Sequence, residues 1–144
     1  AAWVSLAVVG AGLQIARAAA PAGRYQLVAD TVRDLKTGLE WQRAVPAQTY
    51  TWTGASGYCD GLSLGGHSDW RLPTVKELAS ISDARESNPS VDSTAFPATV
   101  AGQYWSATAR AESTTEAWAV VFTGGATSNV NIGTTQRVRC VRGP

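Results

Sequence analysis

The chain has 144 residues, 44% hydrophobic and 16% charged, with Lys+Arg 12 against Asp+Glu 11. That suits one ordinary domain with a real core and excludes a disordered tail or a coiled coil. A net charge of +1 offers no basic excess for nucleic acid, and one His with two Cys cannot build a Cys/His structural zinc site.

Residues 1–20 hold no acid and one base, Arg17. An apolar run from Trp3 to Ile15 precedes Ala18, Ala19 and Ala20, then Pro21. This reads as the h-region and cleavage site of a secretory signal peptide. Gly10 and Gly12 break the run too early for a membrane span. The alternative is a buried N-terminal helix. With neither an initiator Met nor a basic n-region, the true N-terminus is expected upstream. No Cys lies near the cleavage site, so no lipoprotein anchor is expected. Export leaves a single domain over 21–144 with 11 bases against 11 acids, in an oxidising compartment.

Tyr25 to Arg33 alternates, with a change of step at Val32. Leu39 to Gln42 follows, with Leu39 and Trp41 on one face, so the two segments predict a β-hairpin. Asp34 can accept from N–H groups of the turn, and Gly38 can take the positive φ at its end. Thr51 can then cap a helix whose apolar face is Trp52, Ala55, Cys59 and Leu62. Gly54 and Gly57 weaken it by about 0.5–1 kcal/mol each, so it needs tertiary contacts.

Gly65 and Gly66 end that element. Thr74 and Glu77 form a T-x-x-E capping box, and Pro73 keeps Leu72 out of helical geometry. Val75, Leu78 and Ile81 or Ser82 give this second, short helix its inner face, and it is expected to end near Asp83. A loop from Asn88 to Val100 carries Pro89 and Pro97. Tyr104 to Ser106 is one candidate strand and Ala117 to Phe122 the strongest. Trp118, Val120 and Phe122 share one of its faces, Ala117, Ala119 and Val121 the other. Gly124 and Gly125 turn the chain. Ala126 to Ile132 reads as polar and irregular. Gln136 to Val141 closes the fold, with Val138 and Cys140 facing inward and Arg137 and Arg139 alternating outward.

Several motifs in this order resemble the Lcl C-terminal domain family, named from the C-terminal domain of a bacterial collagen-like adhesin. They begin at Thr31 to Arg43, with Asp34, Gly38 and Trp41. They continue through Tyr58-Cys59, then Leu62 to Thr74 with Asp69, Trp70, Arg71 and Pro73, then Lys76-Glu77-Leu78. They resume at Phe96-Pro97, Tyr104 to Ser106, Ala117-Trp118 and Phe122, and end at Val138 to Gly143. The resemblance spans roughly Tyr25 to Gly143. It implies an α+β fold, C-type-lectin-like and similar to formylglycine-generating enzymes. Two helices would flank a twisted, mostly antiparallel sheet, with the chain ends close together.

The resemblance also implies a disulfide between Cys59 and Cys140. The periodicity adds only that both face inward, and a free reactive thiol is the alternative. A paired Cys59 and Cys140 leaves no thiol for formylglycine chemistry. Ser68, His67 and Asp69 adjoin in sequence, but a catalytic triad is a spatial arrangement and no nucleophile-elbow motif is present. Asp69 is expected to accept backbone or Arg hydrogen bonds, and Arg71 to form a buried, structural pair with a carboxylate. No catalytic residue, metal ligand or cofactor is assigned. A structural calcium site stays open only as an alternative, because Asp83, Glu86, Asp92, Glu112 and Glu116 are scattered.

In the family pattern Trp41, Trp70, Trp105 and Trp118 occupy core-like positions. Trp52 is expected to be buried, which leaves no tryptophan as an exposed platform. The name-giving adhesin binds sulfated glycosaminoglycans. That implies a role for Arg137, Arg139 and Arg142 with Arg110, although a neutral mature chain argues for solvated strand residues instead. The expected ligand surface is the polar late region: Thr108, Arg110, Glu112, Thr127, Ser128, Asn129, Asn131, Gln136, Arg137 and Arg139. The expected function is an exported, non-enzymatic binding or adhesion module for a glycan or protein at a bacterial cell surface. It would be secreted, periplasmic or surface-bound, outside the membrane after processing, and without a nucleic-acid partner. The alternatives are an enzyme related to formylglycine-generating proteins and a structural domain that forms homo-oligomers.

Overall fold

A computed structural model describes residues 23–144, so the leader expected over residues 1–20 lies outside the described residues. Three short strands open the fold: β1 (Tyr25–Val28), β2 (Thr31–Asp34) and β3 (Leu39–Gln42). The change of step at Val32 is a turn, not a continuing strand. Ala29 takes φ 50° there and splits the expected Tyr25–Arg33 strand into β1 and β2. Gly38, at φ 75°, ends the β2–β3 turn as expected.

Both helices start where their caps specify. In α1 (Trp52–Asp60) the Thr51 hydroxyl accepts from the Gly54 N–H, and Ala55 and Cys59 are buried. In α2 (Val75–Ser80) Thr74 Oγ1 accepts from the Glu77 N–H at 3.2 Å, while Glu77 Oε1 accepts from the Thr74 N–H at 2.9 Å. This is the expected capping box. Leu78 and Ile81 are buried beneath it. The helix stops at Ser80, earlier than the expected end near Asp83.

The later chain forms an antiparallel sheet of β4 (Gln103–Ala109), β5 (Glu116–Val121) and β6 (Ala126–Asn131). Ala126–Ile132, expected to be irregular, instead pairs with β5 over the whole length of β6. Its polar residues hid the strand, whose periodicity is set by pairing and not by a greasy face. The chain closes with β7 (Val141–Arg142), which pairs with β3 and completes a sheet ordered β1-β2-β3-β7. The expected closing strand over Gln136–Val141 is mostly lost. Gln136 and Arg137 make only single bridges, to Tyr50 and Tyr104.

The fold is therefore α+β with two antiparallel sheets in place of the single expected sheet. Alternation along β4 and β5 sends side chains into two cores. Tyr104, Val120 and Phe122 join Val32, Trp41, Leu78 and Phe96 in one. Trp105, Ala117 and Ala119 join Ala55, Trp70, Val138 and the cysteines in the other. A disulfide joins Cys59 to Cys140 across a sequence separation of 81, tying α1 to the last segment of the chain.

Candidate functional site

The residues singled out as motif positions build the frame. Asp34 is fully buried and accepts twice from Arg24, at 3.1 and 2.8 Å, and once from the Lys36 N–H. Burial alone would raise its carboxyl, but Arg24 and its turn hold it below the usual range. Arg71 grips both Glu77 oxygens at 2.8 and 2.7 Å, which lowers the Glu77 carboxyl. Arg142 bridges Glu40 at 2.6 Å and Asp69 at 2.6 and 3.1 Å. Trp70 is buried, and its indole N–H donates to the Leu64 and His67 carbonyls. Trp41 is wholly buried. Of these, the Arg142–Glu40 contact ties the end of the chain to β3. Asp69 finds an arginine and Arg71 a carboxylate, but the Arg71–Glu77 pair is only partly buried where a buried pair is expected.

Among the residues that could suggest catalysis, the two cysteines and Asp69 are otherwise engaged. Both thiols are spent in the disulfide. Asp69 faces Arg142, and no hydrogen bond among the described residues joins it to His67 or Ser68. Three of the five scattered late carboxylates have partners: Asp83 takes Arg85, Glu116 takes Arg110, and Asp92 accepts the Thr94 and Ala95 N–H groups. Among the described residues no three His, Cys, Asp or Glu side chains converge to hold a metal ion.

The expected ligand residues fall into four places. Thr127, Asn129 and Asn131 are exposed and alternate along one face of β6. Ser128 points to the opposite face, across from Ala119. Arg110 and Glu112 lie on the β4–β5 connection. Arg110 pairs there with Glu116, itself opposite Asn131, and Glu112 is exposed at φ 65°. Gln136 and Arg137 lie along the other side of the sheet, where Gln136 pairs with Tyr50 and Arg137 donates to the Ala47 carbonyl. Thr108 is spent on the Val75 N–H at the start of α2.

Arg139 is a correction. It is fully buried and is neither a solvated strand residue nor a surface ligand group. Its guanidinium donates to the Gln42 and Arg43 carbonyls at 2.7 and 2.9 Å and to Thr99 Oγ1 at 2.8 Å. It also lies over the Phe96 ring. Burial pulls its pKa down to about 10. The alternation failed because Val138 to Val141 runs between the two cores, so both faces of the segment are covered. A basic cluster of Arg137, Arg139 and Arg142 does not form, since Arg142 is committed to Glu40 and Asp69.

Trp118 is the second correction, and the residue the sequence missed. It is only half-buried and joins neither core. Its register partner on β6 is Asn129, so ring and amide share a face, with Thr127 and Asn131 one step either side. Opposite Trp118, β4 bulges between Trp105 and Ala109, which interrupts the cover on that side. The available signal was the polar run after Gly125: a strand of amides and hydroxyls beside a tryptophan does not make a core. Trp52 is likewise half-buried, with its indole N–H on the Ser106 carbonyl at 2.8 Å.

A sequence model of the Lcl C-terminal domain matches residues 30–142. No curated protein matches the chain.

Proposed function

The chain belongs to the Lcl C-terminal domain family, and from that premise we propose that it is an exported, non-enzymatic module that binds a glycan or protein at the cell surface. The observation that carries this reading is the face formed by Trp118, Asn129, Thr127 and Asn131. An indole offers flat apolar area, and its neighbours offer uncharged donors and acceptors. That combination suits the alternating C–H faces and hydroxyls of a sugar, and it explains why a neutral domain needs no basic cluster. The disulfide supports life outside the reducing cytosol. We read the arrangement of helices and sheets as C-type-lectin-like.

A glycan array probed with the full oxidised chain tests the reading. Trp118→Ala and the Asn129→Ala/Asn131→Ala pair should each weaken the hits at least about tenfold, the worth of one or two buried contacts. Hits that survive undiminished in both variants would remove this face from the binding site.

A further inference from the structure

The two half-buried tryptophans lie on opposite faces of the β4–β5–β6 sheet. Trp118 alternates with Ala117 and Ala119, which enter the core under α1, whereas Trp52 packs against that core. Trp52 is the first residue of α1. Its ring is held in place, because the indole N–H donates to the Ser106 carbonyl at 2.8 Å. That acceptor is itself fixed: Ser106 is fully buried, and its hydroxyl donates to the Trp118 carbonyl at 2.6 Å. Trp52 lines a cavity of about 270 Å³, shared with Thr53, Ser56, Leu72 and Ala107. Trp52, Leu72 and Ala107 make one wall apolar. Thr53 and Ser56 stand three apart on α1 and so share a side of the helix. Both are exposed, and among the described residues neither hydroxyl has a hydrogen-bond partner. No charged residue lines the cavity.

We propose that this cavity is a second, separate subsite for one neutral sugar ring. Trp52 is its stacking wall, and Thr53 and Ser56 are its hydroxyl partners. The proposal rests on the reading of this domain as a glycan binder and adds a site on the other face of the sheet. The choice of guest follows from the lining. A charged guest would find no counter-charge. A purely apolar guest would cover the two hydroxyls and pair with neither, which costs free energy. A pyranose meets both walls: its C–H face lies on the indole, and its hydroxyls reach the helix side. The volume falls just under the roughly 300–1,000 Å³ of sites for drug-sized molecules, which suits a single ring. One ring of about 12 non-hydrogen atoms binds in the millimolar range. Contact that weak does not hold a domain on a glycan array, so the array reports on the Trp118 face.

The test is a nuclear magnetic resonance titration of the full oxidised, nitrogen-15-labelled chain. The probes are glucose, galactose, mannose and N-acetylglucosamine, each taken to about 50 mM, with cyclohexanol as the ring stripped of most hydroxyls. Trp52→Phe and Trp118→Phe, which keep a ring and remove one indole N–H, assign the two indole signals. At least one sugar should move the Trp52 indole signal and the Thr53 and Ser56 amides along one saturating curve. Ser56→Leu fills the cavity from an exposed helix position with a better helix former, so it should fold like the wild type by near-ultraviolet circular dichroism. It should weaken the sugar at least about tenfold. No saturating shift at Trp52 with any of the four sugars overturns the proposal, as does a shift that Ser56→Leu leaves unchanged. Cyclohexanol saturating below every sugar overturns it too, since the cavity would then take an apolar guest. The two signals separate the two readings. Saturation at Trp118 but not at Trp52 ends this proposal and keeps the face proposed above; saturation at Trp52 with no glycan-array hits does the reverse.

Discussion

Arg139 shows how a single residue can join segments far apart in the chain. Its fork reaches two β3-end carbonyls and the Thr99 hydroxyl, and its plane lies on Phe96. A guanidinium suits this place because it is weakly hydrated and its donors are held in one plane. The acceptors are carbonyls and a hydroxyl, so the gain is hydrogen bonding inside a dry core. Arg139→Ala would orphan those acceptors and open a cavity. The expected loss is about 3 kcal/mol in urea unfolding. Arg139→Lys should recover only part of it, because one ammonium on a flexible stem cannot span the same three acceptors. A loss under about 0.5 kcal/mol for Arg139→Ala would mean the residue behaves as a surface arginine after all. Asn129 and Trp118 make the opposite point at this scale. Neither is locked by the fold, and their meaning comes from being side by side.

At the scale of elements, α2 depends on one carboxylate with two duties. Glu77 accepts the Thr74 N–H to complete the cap, and it also pairs with Arg71, which is bridged to β7 through its main chain. Thr74→Ala should therefore cost about 1 kcal/mol, the ordinary worth of a cap. Glu77→Ala should cost more, because it also strands a half-buried Arg71. Equal urea midpoints for the two variants would show that the Arg71 pair adds nothing. The two helices were legible in the sequence because their signals are local: a capping hydroxyl, a proline before it, apolar spacing of three and four. The sheets were legible only in part. β5 has a strong apolar alternation, but β6 has none and exists as a strand because β5 pairs with it. The Ala29 turn left only a change of step in the pattern. Arg139 and Trp118 were misread for one reason. Alternation tells which residues share a face, but not whether that face is covered, and cover is decided by elements far away in sequence.

At the scale of the molecule, the β4–β5 pair separates two cores that are unequally furnished. The core around Trp41 and Phe96 draws on both sheets and α2. The core around Trp105 relies on α1, a nine-residue helix with Gly54 and Gly57 inside it and only Ala55 and Cys59 fully buried. A helix so short and so glycine-rich does not persist on its own propensity. Its hold on the domain comes from contacts, and the Cys59–Cys140 bond anchors its buried face to the end of the chain. Periodicity alone places both cysteines inward, while their pairing rests on family resemblance. Closing a loop of 81 residues in the unfolded chain is worth about 4–5 kcal/mol in chain-entropy terms. The double variant Cys59→Ser/Cys140→Ser should therefore lose about that much stability. The loss should also be uneven. Amide hydrogen exchange in the variant should rise first in α1, while β2 and β3, packed against the other core, keep more of their protection. Uniform exchange across both cores would show that they unfold as one unit, with the disulfide acting only on the unfolded chain.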